Sequence, residues 1–385
     1  MSRKIGTELR YGTAEEAGML QERLDIAKNL TKKWVDQDIL NSAVHLVARH
    51  GIIVLHEAFG KVTYEPDSSL AELDTIYLMT SLTKPVTAAS LMCLVEDGLV
   101  GINHPVVDYI PEFVGDGKDK VLVRQLLTHT SGITDEDTGK YIESKRGKVE
   151  IPTCEPTQHP QLNEFYFLMY DVPLSFPTGK EMQYADWNYN LIGEIVRRVS
   201  GKSLESFTRE RIFVKLGMNN SYFEPPNEIK SRIAIPINMF PPDSIEGVTN
   251  LPSGCCGLIT TAMDMAIFTR MFLNKGMYGD KRIISPPSVY EMTHNQIPGI
   301  PAKYGDEYFP EANWSYGWGM ARGWFDGGVM HSPKAFSHGG WGTCYLWGDP
   351  EYNLVGAFFA TSNNAERGYR EHGLFVNVVM SAIDD

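Results

Sequence analysis

From Thr83 to Val95 the chain carries apolar or small residues on nearly every helical face (Val86, Ala88, Ala89, Leu91, Met92, Cys93, Leu94, Val95), and the run stops at Glu96-Asp97-Gly98. A helix with no polar stripe has to lie in the middle of a protein, and Gly98 supplies its terminator. The fold is therefore one that surrounds this helix. Lys84 sits in its first turn, where an unpaired ammonium would be costly.

The remaining periodicities say what surrounds it. Residues Gln21 to Asp36 place Leu24, Ala27, Leu30 and Trp34 on one helical face. Ala43 to Ala48 and Ile52 to Phe59 are β-branched-rich runs joined by Arg49-His50-Gly51, which predicts a hairpin. Val121 to Leu127 and Tyr189 to Val199 read as helices, the second closed by Ser200-Gly201. Long connections are expected over Gly139 to Thr178, Tyr222 to Gly254 and Ile297 to Trp314. Short strands return at Gly317 to Trp324, Ala335 to His338, Thr343 to Trp347 and Leu354 to Thr361, followed by a helix from about Glu371 to Ile383. Strands at both ends and helices between them predict a mixed domain, residues 1–80 plus 255–385, with a mostly helical domain, 81–254, inserted. A chain of 385 residues with 43% hydrophobic content fills a core in each.

Composition excludes several functions. The net charge of −13 comes without basic runs, so no nucleic-acid partner is expected. Neither a signal-like N-terminus nor an uncharged stretch of membrane-spanning length is present, which predicts a cytoplasmic chain with no membrane partner. Cys93, Cys154, Cys255, Cys256 and Cys344 form an odd set without Cys-x-x-Cys or interleaved His, arguing for reduced thiols and against a zinc site. His56-Glu57 has no second His at metal spacing, and P-loop, Gly-x-Gly-x-x-Gly and Gly-x-Ser-x-Gly patterns are missing. No cofactor is expected.

Chemistry concentrates in three places. Ser81 precedes Lys84 by three positions at the start of the buried helix, so hydroxyl and amine share one face. Serine needs a base within hydrogen-bond reach, and a lysine whose ammonium is disfavoured by burial can serve. Ser-x-x-Lys alone arises by chance roughly once in a chain this long, so its place on the most apolar helix carries the weight. Tyr184, in Gln183-Tyr184-Ala185-Asp186, can relay protons if a cation such as Lys84 steadies its phenolate. Ser337-His338-Gly339-Gly340-Trp341-Gly342 ends a predicted strand, where glycines admit a substrate close to backbone and an edge N–H can hold an oxyanion. Trp187, Trp314, Tyr316, Trp318 and Trp341 are equally readable as acyl-pocket lining or as core.

With these elements in order, the sequence resembles the penicillin-recognising serine hydrolases: class C β-lactamases, DD-peptidases and the β-lactamase-like esterases of carboxylesterase family VIII. Leu126-Leu127-Thr128-His129-Thr130-Ser131-Gly132, Asp108-Tyr109-Ile110-Pro111-Glu112-Phe113, Pro177-Thr178-Gly179 and Gly257-Leu258-Ile259-Thr260-Thr261-Ala262-Met263-Asp264 look like further landmarks. The resemblance implies a β-lactamase/transpeptidase-like α/β (α+β) fold: an antiparallel sheet flanked by helices, an inserted all-helical domain and a cleft between them. It implies Ser81 as nucleophile, Lys84 as base, Tyr184 as proton carrier and the Ser81 and Trp341 amides as oxyanion hole. His129 would be structural.

Two departures redirect the substrate. The family's Tyr-x-Asn is Tyr184-Ala185-Asp186 here, and His338-Gly339-Gly340 stands where lactamases carry Lys-Thr-Gly. Asp186 can bind a cationic group, hold Lys84 or cap the following helix, while His338, Gly339, Gly340 and Trp341 would border the substrate. The expected function is a carboxylesterase on small or medium acyl esters. Alternatives are a biosynthetic acyltransferase or a D-amino-acid amidase or peptidase, then a β-lactamase or a non-catalytic penicillin-binding-like protein. A small-molecule ester or amide is the expected partner, with oligomeric state left open.

Overall fold

The computed structural model describes residues 7–235, 251–323, 328–362 and 365–385. Its largest sheet contains β1 (Arg10–Tyr11), β2 (Ser42–Arg49), β3 (Ile52–Gly60), β4 (Gly319–Met320), β5 (Phe336–Gly340), β6 (Cys344–Asp349) and β7 (Leu354–Thr361), in the order β1-β3-β2-β7-β6-β5-β4. Every pairing is antiparallel except β1 with β3. The helices used below are α1 (Gln21–Asp36), α2 (Thr83–Glu96), α3 (Val123–Leu127), α4 (Asp135–Lys145), α5 (Pro160–Met169), α6 (Asp186–Ser200), α7 (Ala262–Leu273) and α8 (Ala365–Met380). Among the described residues no helix is long and apolar enough to cross a membrane.

The period-2 geometry of a strand explains how one sheet serves two cores. Ala43 and Val47 of β2, with Leu354, Phe358 and Ala360 of β7, face α1 and α8, where they meet Leu24, Ala27, Trp34, Phe375 and Val379. Val44, Leu46, Val355, Ala357 and Phe359 face the other way, into a cluster that runs through α7 to α2 and α6. All residues of α2 from Thr83 to Leu94 are buried, as its unbroken apolar surface requires. α6 packs along it and ends at Gly201 in the left-handed conformation.

The hairpin turn uses two left-handed residues, His50 (φ 55°) and Gly51 (φ 83°), the backbone that lets a two-residue loop match strand twist. Three connections contain more order than the sequence suggests. The Gly139–Thr178 stretch holds most of α4 and all of α5. Thr134 caps α4 through the Asp137 N–H, acidic residues fill its first turn and Pro160 opens α5; Gly139 and the polar surface of α4 hide the helical period. The Ile297–Trp314 stretch contains a hairpin, Ala302–Tyr304 with Glu307–Phe309. In the Tyr222–Gly254 stretch, Asn227–Arg232 forms 3₁₀ turns and Ile233–Ala234 pairs with Ile76–Tyr77, while 236–250 lie outside the described residues. The expected strand from Gly317 shortens to β4, with Trp324 outside the described residues, and α8 starts six positions before the expected Glu371 because its first turns carry no apolar period.

Candidate active site

The strand Ile76–Leu78, held between Ile233–Ala234 and Ile259–Thr260, delivers the chain to a 3₁₀ turn, Thr80–Leu82, that continues directly into α2. Thr80 has φ 46°, an outlying conformation for a β-branched residue, which surrounding contacts must hold. Met79 N–H donates to the Leu258 carbonyl (2.9 Å), Leu258 N–H to Thr83 Oγ1 (3.0 Å), and Thr80 Oγ1 to the Trp341 carbonyl (3.3 Å). Ser81 is thereby fixed between the 255–258 segment and the end of β5.

Lys84 is fully buried and donates three hydrogen bonds: to Ser81 Oγ (3.0 Å), Asp186 Oδ1 (2.6 Å) and the Cys255 carbonyl (3.2 Å). Burial alone would lower its proton affinity. The charge of Asp186, aided by Tyr184 and Cys255, outweighs burial and holds the ammonium well above the ordinary lysine range. This reverses the expectation that burial frees the amine as a base. In the resting protein Lys84 is a cation that donates to three acceptors.

Tyr184 follows the short strand Met182–Gln183, which pairs with Ala302–Lys303. Its ring lies 4.7 Å from Lys84 Nζ and stacks on His129 at 4.4 Å. Burial pushes the phenol above its usual range, against the pull of the Lys84 charge and of hydrogen bonds to Lys84 and Ser81. His129 is fully buried and accepts the Ala185 N–H at Nδ1 (3.2 Å). Burial and the nearby Lys84 push it well below the usual histidine range, so it is a neutral support for the tyrosine segment.

Asp186 opens α6, yet its side chain does not cap that helix. The carboxylate of Asp135, at the start of α4, does so, accepting the amides of Asp186 (3.0 Å) and Trp187 (3.3 Å). The Asp186 side chain, 43% exposed, reaches Lys84 instead of capping the helix. Asp135 was invisible there: it lies 51 positions from Asp186, and its only signal is an acid just behind Ser131-Gly132.

Ser337 and Phe336 pair with β4 on one side, whereas His338, Gly339 and Gly340 pair only with β6, leaving their other edge toward the Thr80–Leu82 turn. A Cβ on Gly340 would lie 2.3 Å from the Met79 carbonyl, so only glycine permits this approach. Trp341 is 51% exposed. His338 departs from expectation: its ring is wholly buried against Trp314 and near Tyr184, with Nδ1 at 2.7 Å from the Gly339 carbonyl, and does not border open space. Burial, with the Lys84 charge, lowers it to about 3, so it is uncharged at neutral pH. Trp314 and Trp318 are core residues, Tyr316 is buried, and Trp187 packs on Phe165.

Comparison with known proteins bears on the family and the fold. A family model described as Beta-lactamase matches residues 26–378. An N-acetylmuramyl-L-alanine amidase of Bacillus subtilis (strain 168) is 26% identical over 397 residues, covering 89% of this chain and 84% of the relative. Among solved structures, a penicillin-binding protein homologue from Caulobacter crescentus superposes with a TM-score of 0.74 at 21% identity, covering 95% of this chain and 99% of that one. A family VIII carboxylesterase superposes with a TM-score of 0.72 at 21% identity, covering 92% and 97%.

Proposed function

The chain belongs to the beta-lactamase family of serine hydrolases, and from that membership we propose that it is a carboxylesterase acting on uncharged small or medium acyl esters through an acyl-enzyme on Ser81. The observation that carries the reading is the Ser81 Oγ–Lys84 Nζ contact of 3.0 Å, at the start of a buried helix and beneath Tyr184. Ser81 Oγ attacks the ester carbonyl, and the amides of Ser81 and Trp341 hold the oxyanion. Lys84 and Tyr184 handle the proton, with Tyr184 passing it to the departing alkoxide. Water then releases the acid from Ser81. The substrate cleft of this reading lies between the sheet-bearing domain and the helical insertion, with Asp186 on one side and Gly339, Gly340 and Trp341 on the other.

The preference for uncharged substrates follows from position 338. Lactamases present a lysine there to a substrate carboxylate, whereas this chain presents a buried, uncharged His338. A charge-assisted hydrogen bond contributes about 1.5–3 kcal/mol, so its loss costs a carboxylated substrate roughly 10- to 100-fold. The protein is therefore expected to turn over p-nitrophenyl butyrate and to cleave nitrocefin with a kcat/KM lower by at least that factor. Nitrocefin turnover at comparable kcat/KM would overturn the esterase assignment. The amidase relative supports a second reading; a D-alanine p-nitroanilide hydrolysed in preference to the ester would favour it. A trapped acyl adduct with no turnover would favour an acyltransferase.

The close approach of Gly340 yields a second expectation. In Gly340→Ala the new methyl meets the Met79 carbonyl, a backbone atom that cannot swing aside. Strand β5 must then move from the Ser81 turn, and displacement of a reacting group by a fraction of an ångström to 1 Å costs up to about 100-fold. A drop in ester kcat/KM of tenfold or more is expected in a protein that still melts cooperatively. Unchanged kcat/KM would mean that the β5 edge plays no part in the reaction.

A further inference from the structure

An ammonium whose three protons are engaged cannot accept a fourth. Lys84 donates to Ser81 Oγ, Asp186 Oδ1 and the Cys255 carbonyl, and the 2.6 Å contact to Asp186 is the shortest of the three. If Ser81 is to lose its proton through Lys84, one of the lysine's own protons has to leave at the same time. Of the acceptors at 2.6–3.2 Å only the carboxylate of Asp186 can take one, and Tyr184, whose phenol burial holds above its usual range, already carries its own proton.

Resting on the reading of Ser81 as nucleophile, we propose that Asp186 is the terminal proton acceptor of a relay from Ser81 through Lys84, and that Asp135 is the positioning residue that fixes and charges this acceptor. As Ser81 Oγ bonds to the acyl carbon, its O–H bond breaks and an N–H bond forms on Lys84. A different Lys84 N–H breaks, and an O–H bond forms on Asp186. Lys84 begins and ends as an ammonium, while one negative charge moves from the Asp186 carboxylate to the oxyanion. The cation thus stays between the two places that hold the negative charge in turn. On collapse of the tetrahedral intermediate the proton returns from Asp186 to Lys84, and Lys84 supplies Tyr184 as it protonates the departing alkoxide.

Asp135 contributes through geometry and charge. Its two oxygens accept the first two amides of α6, which sets where Asp186 stands. The groups facing the Asp186 carboxylate are Lys84 at the start of α2, Tyr184, Asp135 on α4, and Cys255 and Cys256 on the 255–258 segment. His129 and His338 adjoin Lys84 but are uncharged. Two carboxylates near one another bind a proton more readily than either alone. Burial, then the charge of Asp186, raises Asp135 to about 6 against its amide bonds and the Lys84 charge. Above that pH the Asp135 charge favours a proton passed to Asp186; below it Asp135 is itself protonated and that help is lost.

The test reads the second-order rate of fluorophosphonate labelling at Ser81 from pH 5 to 9 by intact mass, for the wild type, Asp186→Asn, Asp186→Glu and Asp135→Asn. The wild-type rate should fall below about pH 6. Asp186→Asn should lower the plateau by about 100-fold and abolish that limb. Asp186→Glu, which keeps a carboxylate, should recover part of the rate and the limb. Asp135→Asn should remove the limb near pH 6 and reduce the plateau, and loss of a pH limb is a change that a purely structural role would not produce. Near-UV circular dichroism checks that each variant keeps its packing. Wild-type rate and profile in Asp186→Asn would overturn the relay and leave Ser81 as nucleophile untouched. Failure of the wild type to label at Ser81 would overturn the Ser81 assignment and the relay together.

Discussion

Ser81→Ala is expected to eliminate the fluorophosphonate adduct and to reduce ester turnover by about 10³-fold or more, the scale on which covalent catalysis depends on its nucleophile. The loss should be chemical and not structural. Ser81 Oγ is one of three acceptors around Lys84, and its removal leaves Asp186 at 2.6 Å and the Cys255 carbonyl at 3.2 Å. One hydrogen bond contributes about 1 kcal/mol net, so the melting temperature should move by only a few degrees. Intact mass and a thermal melt on the same preparation separate the two effects. An adduct that persists in Ser81→Ala would remove Ser81 from the mechanism.

Lys84→Met should lower ester kcat by about 10²–10⁴-fold, the usual range for a lost proton-transfer group, while the fold holds or gains stability. Lys84 is fully buried, so the folded protein carries the cost of stripping an ammonium of water. Methionine fills a similar volume without that cost. The partner left behind, Asp186, is 43% exposed and can be solvated. Lys84→Ala should behave differently, since deleting the aliphatic stem opens a cavity worth about 2 kcal/mol or more. Melting of the two variants in parallel tests this: a lower melting temperature in Lys84→Met than in Lys84→Ala would show that the ion pair outweighs packing here. Full activity in Lys84→Met would remove lysine from the proton path.

What could be read from sequence followed from local periodicity. α2 was visible because an apolar surface on every side has one solution, burial, and Ser81 and Lys84 were visible because a helix places positions three apart on one face. The hairpin was legible from β-branched-rich runs joined at Arg49-His50-Gly51, and β7 from a short apolar run. What escaped notice depends on the third dimension. Asp135 and the Cys255 carbonyl meet the site across 51 and 171 positions, one through backbone amides and the other through a backbone oxygen that no side-chain pattern announces. Lys84 was expected to lose its charge by burial because the sequence left open whether the Asp186 carboxylate reaches it, as it does at 2.6 Å. His338 looked like a substrate contact because its strand ends beside the Ser81 turn, but whether a ring at a sheet edge turns outward or in is decided by what packs against it, here Trp314.

The order of strands bears on how the protein is made. β7 lies between β2 and β6, pairing Leu354 with Arg49 and Thr361 with Ser42, so the second strand of the sheet acquires its inner neighbour only after most of the chain has left the ribosome. At about 5–20 residues per second the β2–β3 hairpin waits for tens of seconds with an open edge and two uncovered apolar faces. Contacts this distant in sequence also close slowly. The Ser81 turn waits as well, because Gly340, which seats against Met79, lies on β5 and is synthesised late. On the proposed role of Ser81, a nascent chain carries its nucleophile long before it can use it, and acylation competence would itself report completed vectorial folding.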